Sequence, residues 1–136
     1  MTDIRDHEIA HREFFKNALG SSAIQGLEVN FTSINFGSCD SVLGTAKAFE
    51  DLGVSAYNGA GRLFQSPDYL TLAGKIVSVK ARRAALISDL ISNGTFANSK
   101  VIDSNGLEKS RTPTEVLAIA SAFVTTRLNA GNLPTS

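Results

Sequence analysis

The chain has no tryptophan, a single cysteine and no excess of charge of either sign. Because Cys39 is alone, no intrachain disulfide can form, and cysteine usage indicates no particular redox compartment. The 13 acidic residues balance the 13 basic residues, so composition does not point to nucleic acid or an anionic membrane as a partner. No apolar run approaches the roughly 20 residues that a membrane-spanning helix needs.

The amino-terminal stretch MTDIRDHEIAHREFF is charged and amphipathic from its second residue, unlike the apolar core of a signal peptide. A secreted or periplasmic location would need a signal upstream of this sequence, and the localisation is otherwise left open. The 136 residues, of which 43% are hydrophobic, are predicted to form a single domain over 1–136 with an ordinary core.

Apolar residues recur with helical periodicity in four stretches, and this predicts an all-α fold. The predicted helices span about 3–18, 40–64, 67–92 and 113–129. Residues 20–40 lack sustained periodicity. We interpret them as a crossover that carries the chain along a helical bundle, so that the second helix starts at the same end as the first.

Local signals support these boundaries. Gly20 is a typical helix stop, and Pro67 suits the first turn of the third helix. Thr112 followed by Pro113 and Glu115 reads as a capping box with proline at the first helical position. The last helix is therefore expected to begin at 113.

The third predicted helix carries two cations on its apolar face. The apolar positions recur every three or four residues: Ala73, Ile76, Val77, Ala84 and Ile87. Lys80 and Arg83 fall inside the same stripe, and a buried charge must be paired or must contact a bound group. The neighbouring basic residues do not indicate a nucleic-acid site, because the run is short and has no interleaved aromatics.

Two other predicted helices place acidic residues on their inner faces. Glu8 and His11 are three positions apart on the first helix, and Glu50 lies on the inner face of the second. A Glu-x-x-His pair, a lone Glu on another helix and a long crossover are parts of carboxylate-bridged di-metal bundles. His11 also fits a hydrogen-bonded core histidine, and we favour that interpretation over a metal ligand.

Four segments, in order, resemble one protein family. They read DHEIAHREFFKNALG, AFEDLGVSAYNGA, SPDYLTLAGKIVSVKARRAALISDL and TPTEVLAIASAFV, and they extend over about residues 3–125. They are similar to the ferritin-like domain family, in the branch that includes the plant desiccation-related proteins and many bacterial homologues. The resemblance implies a ferritin-like helical bundle with a long crossover loop and a C-terminal helix, shortened at its amino terminus.

The resemblance also assigns the acidic residues. The family's Glu-x-x-His falls on Glu8 and His11, and the Glu of the next bundle helix falls on Glu50. The first bundle helix, which carries a further Glu, has no counterpart here. Three of the expected metal ligands therefore remain.

The last bundle helix departs from the family pattern. Where the family typically reads E-A-R-H, this chain reads K-A-R-R, with Lys80 and Arg83 at the two ligand positions. Neither side chain offers a lone pair to a metal at neutral pH. We therefore expect a degenerate di-iron site, in which Lys80 and Arg83 replace the metals and pair with Glu8 and Glu50.

This pattern favours a non-catalytic structural or interaction protein without a cofactor. The alternative is a metal-binding ferritin-like protein of the oxidase or storage type, with iron or another divalent metal at a residual Glu8, His11 and Glu50 site. Loss of the first bundle helix would leave an apolar groove, which we expect a second copy or a partner helix to fill. The helix at 113–129, or a segment upstream of this sequence, could take that position instead.

Overall fold

Two long helices, joined by a short connection, form the centre of the molecule. The computed structural model describes residues 2–129, 131 and 133. Its helices are α1 (Thr2–Leu19), α2 (Cys39–Gly61), α3 (Pro67–Ile91) and α4 (Pro113–Ala120), with a short 3-10 turn (Gly20–Ser22) after α1. The predicted all-α class is confirmed, since the β-structure in this part of the chain consists of two isolated bridges.

A serine side chain caps the amino terminus of each central helix. The Ser38 hydroxyl accepts a hydrogen bond from the Ser41 N–H at 3.3 Å, and the Ser66 hydroxyl accepts one from the Tyr69 N–H at 3.4 Å. Each bond satisfies an N–H group that has no partner within its helix. Pro67 occupies the first turn of α3, as predicted, where a missing N–H costs nothing.

The hydrophobic core lies between α2 and α3. Its buried apolar side chains are Leu52 and Val54 on α2, and Ala73, Ile76, Ala84 and Ile87 on α3. By contrast, α1 contributes no buried residue. No helix in the described part of the chain is both long and apolar enough to span a bilayer.

The last helix is much shorter than predicted. Its capping box is present, with the Thr112 N–H donating to the Glu115 carboxylate at 2.7 Å and the Glu115 N–H donating to the Thr112 hydroxyl at 3.3 Å. However, α4 ends at Ala120 rather than at 129. The β-branched run at 124–126 favours an extended backbone, and it pairs there with the crossover.

The crossover is attached to the segment after α4. The Asn30 N–H donates to the Phe123 carbonyl at 2.8 Å, and the Thr125 N–H donates to the Glu28 carbonyl at 3.0 Å. The rings of Phe31, Phe49 and Phe123 pack together, with the closest centroids, those of Phe49 and Phe123, 4.7 Å apart. The crossover is thereby held against α2.

A second loop crosses α2 at very close range. The Arg111 N–H donates to the Ser55 carbonyl at 2.9 Å, and the Arg111 guanidinium donates to the Ser55 hydroxyl. This approach requires glycine at Gly59, where a Cβ atom would lie 1.9 Å from the Arg111 carbonyl oxygen. The start of α4 is fixed on α2 in this way.

Candidate functional site

Three helices contribute to one cluster of charged side chains, Glu8 of α1, Glu50 of α2, and Lys80 and Arg83 of α3, which we term the charge cluster. The Lys80 ammonium donates to Glu8 at 2.9 Å, and the Arg83 guanidinium donates to the other oxygen of the same carboxylate. Glu50 Oε2 lies 3.6 Å from Lys80 Nζ and 3.4 Å from Arg83 Nη2. The structure thus brings together the four residues whose pairing was expected, and His11, the fifth residue expected on an inner face, lies beside Glu8.

The charge cluster is buried on one side and open on the other. Glu50 and Arg83 are 5% and 7% exposed, so neither is in free contact with water. The side chain of Glu8 is 42% exposed. Two cations face two carboxylates, and the formal charges of the cluster balance.

Helical spacing and one glycine determine this arrangement. Lys80 and Arg83 are three residues apart on α3, so they project from one face, which also carries the buried Ile76 and Ile87. The Lys80 stem then passes over α2 at Gly53, where a Cβ atom would lie 3.0 Å from Lys80 Cδ. Gly53 was missed as a site residue in the sequence, although its place three residues after Glu50 puts it on the same face.

The contacts also give the helix directions. Lys80 contacts Glu8 of α1, and Arg83, which is later in α3, also contacts the carbonyl of Ile4, which is earlier in α1. The two helices therefore run in opposite directions. Gly53 adjoins Lys80 and Gly61 adjoins Leu70, so α2 and α3 are antiparallel as well. It follows that α1 and α2 are parallel, which is the arrangement that the predicted crossover requires.

The two carboxylates of the charge cluster differ in acidity. Burial alone would raise the pKa of Glu8, but hydrogen bonds and charge from Lys80 and Arg83 outweigh it and hold the pKa below its ordinary value. Burial raises the pKa of Glu50, and the negative charge of Glu8 acts in the same direction, against the two cations. Glu8 is therefore the principal counter-charge, and Glu50 is the less favourably ionised of the two.

His11 and Tyr57 border the charge cluster. His11 Nδ1 lies 3.4 Å from Glu8, and burial together with the two cations lowers the pKa of His11, although Glu8 opposes this shift. Burial, followed by the charge of Glu8, raises the pKa of Tyr57 to about 12. His11 Nδ1 has no hydrogen-bond partner among the described residues, so the expected hydrogen-bonded core histidine is not formed at that atom.

The family model for the ferritin-like domain matches residues 1–93, which contain α1, α2, α3 and the whole charge cluster. The chain belongs to the ferritin-like domain family. No curated protein and no solved structure gave a significant match. The family assignment therefore rests on the helices that carry the charge cluster, and α4 lies outside the matched region.

Ferritin-like domains of the di-metal type hold their metals with carboxylates and histidines from facing helices. Here Glu50 Oε2 and His11 Nδ1 are buried without hydrogen-bond partners and carry lone pairs, but they lie beside Lys80 and Arg83. Those two cations repel a divalent ion and donate no lone pair. Among the described residues, no three His, Cys, Asp or Glu side chains are grouped to hold a metal ion. The donor set does not fit a pair of metals.

Proposed function

We propose that this ferritin-like protein is structural rather than catalytic, and that its charge cluster replaces the di-iron centre of the family. The observation that carries the proposal is the position of Lys80 and Arg83, which hydrogen-bond Glu8 and lie within 3.6 Å of Glu50. Two unit cations at the centre of the bundle perform the electrostatic role of metal ions, since they hold carboxylates from facing helices together.

The proposed role is to hold three helices in register. A buried ion pair adds little net stability over an apolar pair of similar volume, but it penalises any packing that leaves one charge unpaired. A shift of α1 by one helical turn would separate Glu8 from both cations. The charge cluster then selects one arrangement of α1 on α3.

We further propose that the protein assembles with copies of itself. Many large apolar side chains are exposed on its helices and loops, including Leu86, Leu90 and Phe36. Exposed apolar surface of this extent is characteristic of interaction surfaces.

The order of the four segments described in the sequence analysis also supports membership of the branch that includes the plant desiccation-related proteins.

Metal content tests the proposal directly. The purified protein, incubated with ferrous iron, manganese or zinc and then desalted, is expected to retain far less than one metal per chain by elemental analysis. Near-stoichiometric metal in the wild-type protein would contradict the proposal and would favour the residual Glu8, His11 and Glu50 site. Oxygen-dependent oxidation of ferrous iron would identify that site as an oxidase.

A reconstructed site provides the matched comparison. Lys80→Glu with Arg83→His restores the family's Glu-x-x-His on α3 and supplies five carboxylate or imidazole donors together with Glu8, His11 and Glu50. We expect this variant to gain metal binding that the wild-type protein lacks. Lys75→Glu with Arg82→His makes the same replacements at exposed positions of α3 and is expected to gain none.

A further inference from the structure

A side of α3 next to its buried face carries an apolar seam, which we define as Val79, Leu86 and Leu90. Val79 and Leu86 are seven residues apart, and Leu90 follows four residues later, a spacing typical of a helix that packs against another helix. Leu86 is 57% exposed and Leu90 is 63% exposed, whereas the adjacent Ile87 is 1% exposed. Leu86 and Leu90 thus lie outside the face that α3 buries against α2, and the half-buried Val79 lies at its border.

The accessible surface area of the chain is larger than that of a compact monomer of the same mass. It measures 9307 Å² for a mass of 14.4 kDa. A compact monomer of that mass exposes about 6,800 Å², so roughly 2,500 Å² is in excess. A standard protein interface buries about 800 Å² on each partner. This excess is spread over the whole chain, so the total area does not limit a contact between two copies.

The charges beside the seam identify a second copy as the partner. Arg82 and Asp89 are both exposed and lie on the same flank of the seam, seven residues apart. Their separation along the helix, about 10 Å, is too large for an ion pair within α3. When a second α3 lies antiparallel across the seam, Arg82 of each copy faces Asp89 of the partner subunit. The flank is complementary to itself in that orientation.

We propose that the seam is a two-fold interface, in which the α3 helices of two copies pack antiparallel near Leu86 and Leu90. Two reciprocal Arg82–Asp89 pairs border the contact. Such an isologous arrangement closes on itself and yields a dimer. The inference rests on the assembly proposed above and specifies its surface.

Light scattering and sedimentation of the full chain test the interface. The wild-type protein is expected to be a dimer, and Leu86→Glu is expected to be monomeric because it places two carboxylates in the apolar contact. Arg82→Glu places a second negative charge opposite Asp89 of the partner subunit. We therefore expect the dissociation constant of the dimer to rise about tenfold. Arg82→Glu with Asp89→Arg exchanges the two charges and should restore the wild-type constant.

Lys75→Glu is the matched control, because it makes the same change of charge on the same flank of α3, two turns before Arg82. It should leave the dissociation constant unchanged. Helical circular dichroism of each variant verifies that the fold is intact, above all for Asp89→Arg, which removes the acceptor of the Gly94 N–H hydrogen bond after α3. Failure of the charge exchange to restore the dimer would overturn the antiparallel pairing.

Two outcomes separate this inference from the proposed function. If the wild-type protein assembles but Leu86→Glu and Arg82→Glu do not affect its assembly, the copies contact each other through another surface. That result contradicts the proposed interface at the seam but not the proposed assembly. A wild-type monomer at high micromolar concentration contradicts both, and a segment or partner other than a second copy then covers the seam. The metal analysis is independent of either result.

Discussion

Arg83 of α3 donates a hydrogen bond to the main-chain carbonyl of Ile4 on α1, with Nη1 and the oxygen 3.3 Å apart. The same guanidinium also binds the Glu8 carboxylate one turn later on α1. α1 has no buried residue, and these polar contacts, together with the Lys80–Glu8 pair, attach it to the central hairpin. The charge cluster therefore contributes to the position of α1.

Glu8→Gln tests that attachment. The substitution removes the charge that faces Lys80 and Arg83 but keeps the shape of the side chain. We expect the free energy of unfolding to fall by about 1–2 kcal/mol, below the usual loss for a buried pair because Glu8 is partly exposed. Hydrogen exchange should accelerate mainly over α1. Glu13→Gln, which breaks only a local pair with Arg12, is the control and should leave exchange unchanged.

The buried part of the charge cluster is suited to a double-mutant cycle. Arg83→Met leaves Glu50 without one of its two cations, and a loss of about 3–5 kcal/mol is expected. Glu50→Leu alone should also destabilise, since it removes a counter-charge from Lys80 and Arg83. The double variant should be less destabilised than the sum by about 1–3 kcal/mol in urea titrations. Simple additivity would show that Glu50 and Arg83 are not coupled.

Acid should remove the contribution of Glu8. Its pKa is held below the ordinary 4.5 in the folded protein, so the stabilisation is complete above that value and is lost as pH falls through the folded pKa. The raised pKa of Glu50 acts with the opposite sign, since its contribution is present below 4.5 and lost as pH rises through the folded pKa. The difference in unfolding free energy between wild type and Glu8→Gln isolates the first effect. That difference should shrink steadily below pH 4.5; a difference independent of pH would refute the ion pair.

Glycine-to-alanine substitution at three positions of α2 should have three different effects on stability. Gly44→Ala meets no atom within 4 Å and should stabilise the protein by about 0.5–1 kcal/mol, the usual helix-propensity gain. Gly53→Ala should gain less, because the flexible Lys80 side chain must move aside. Gly59→Ala places Cβ against the Arg111 backbone and should destabilise by about 3 kcal/mol or more. Thermal unfolding of the three variants orders these effects, and an unaffected Gly59→Ala would contradict the close approach of the loop.

The sequence predicted the features that depend on local spacing. The starts and ends of α1, α2 and α3 follow from helical periodicity and from residues such as Pro67, and they were predicted to within three residues. Lys80 and Arg83 were expected beside Glu8 and Glu50 because the resemblance to the ferritin-like domain family places all four at metal-ligand positions. The period of the helix and the rule that buried charges require partners support that expectation, but they do not select the partners.

The features that were missed depend on contacts between distant parts of the chain. α4 ends at Ala120 because Val124 pairs with Val29, whereas helical spacing alone predicted a helix that extends to 129. Of the aromatic residues in the crossover, Phe31 packs on Phe49 and Phe123 whereas Phe36 is 70% exposed, a difference that local spacing does not predict. In the sequence, Gly59 is one of several small residues on α2. Its role becomes visible only when the Arg111 loop is placed against it.

The pairing of the crossover with the segment after α4 has a consequence for synthesis on the ribosome. The Glu28 N–H donates to the Thr126 hydroxyl across 98 residues of sequence, so this contact cannot form until Thr126 has been made. The hairpin of α2 and α3 needs only neighbouring segments and can close much earlier, as contacts of low sequence separation generally do. During translation, the crossover therefore remains open while α1 is already available to the hairpin. Closure of the aromatic cluster around Phe123 then comes after closure of the hairpin.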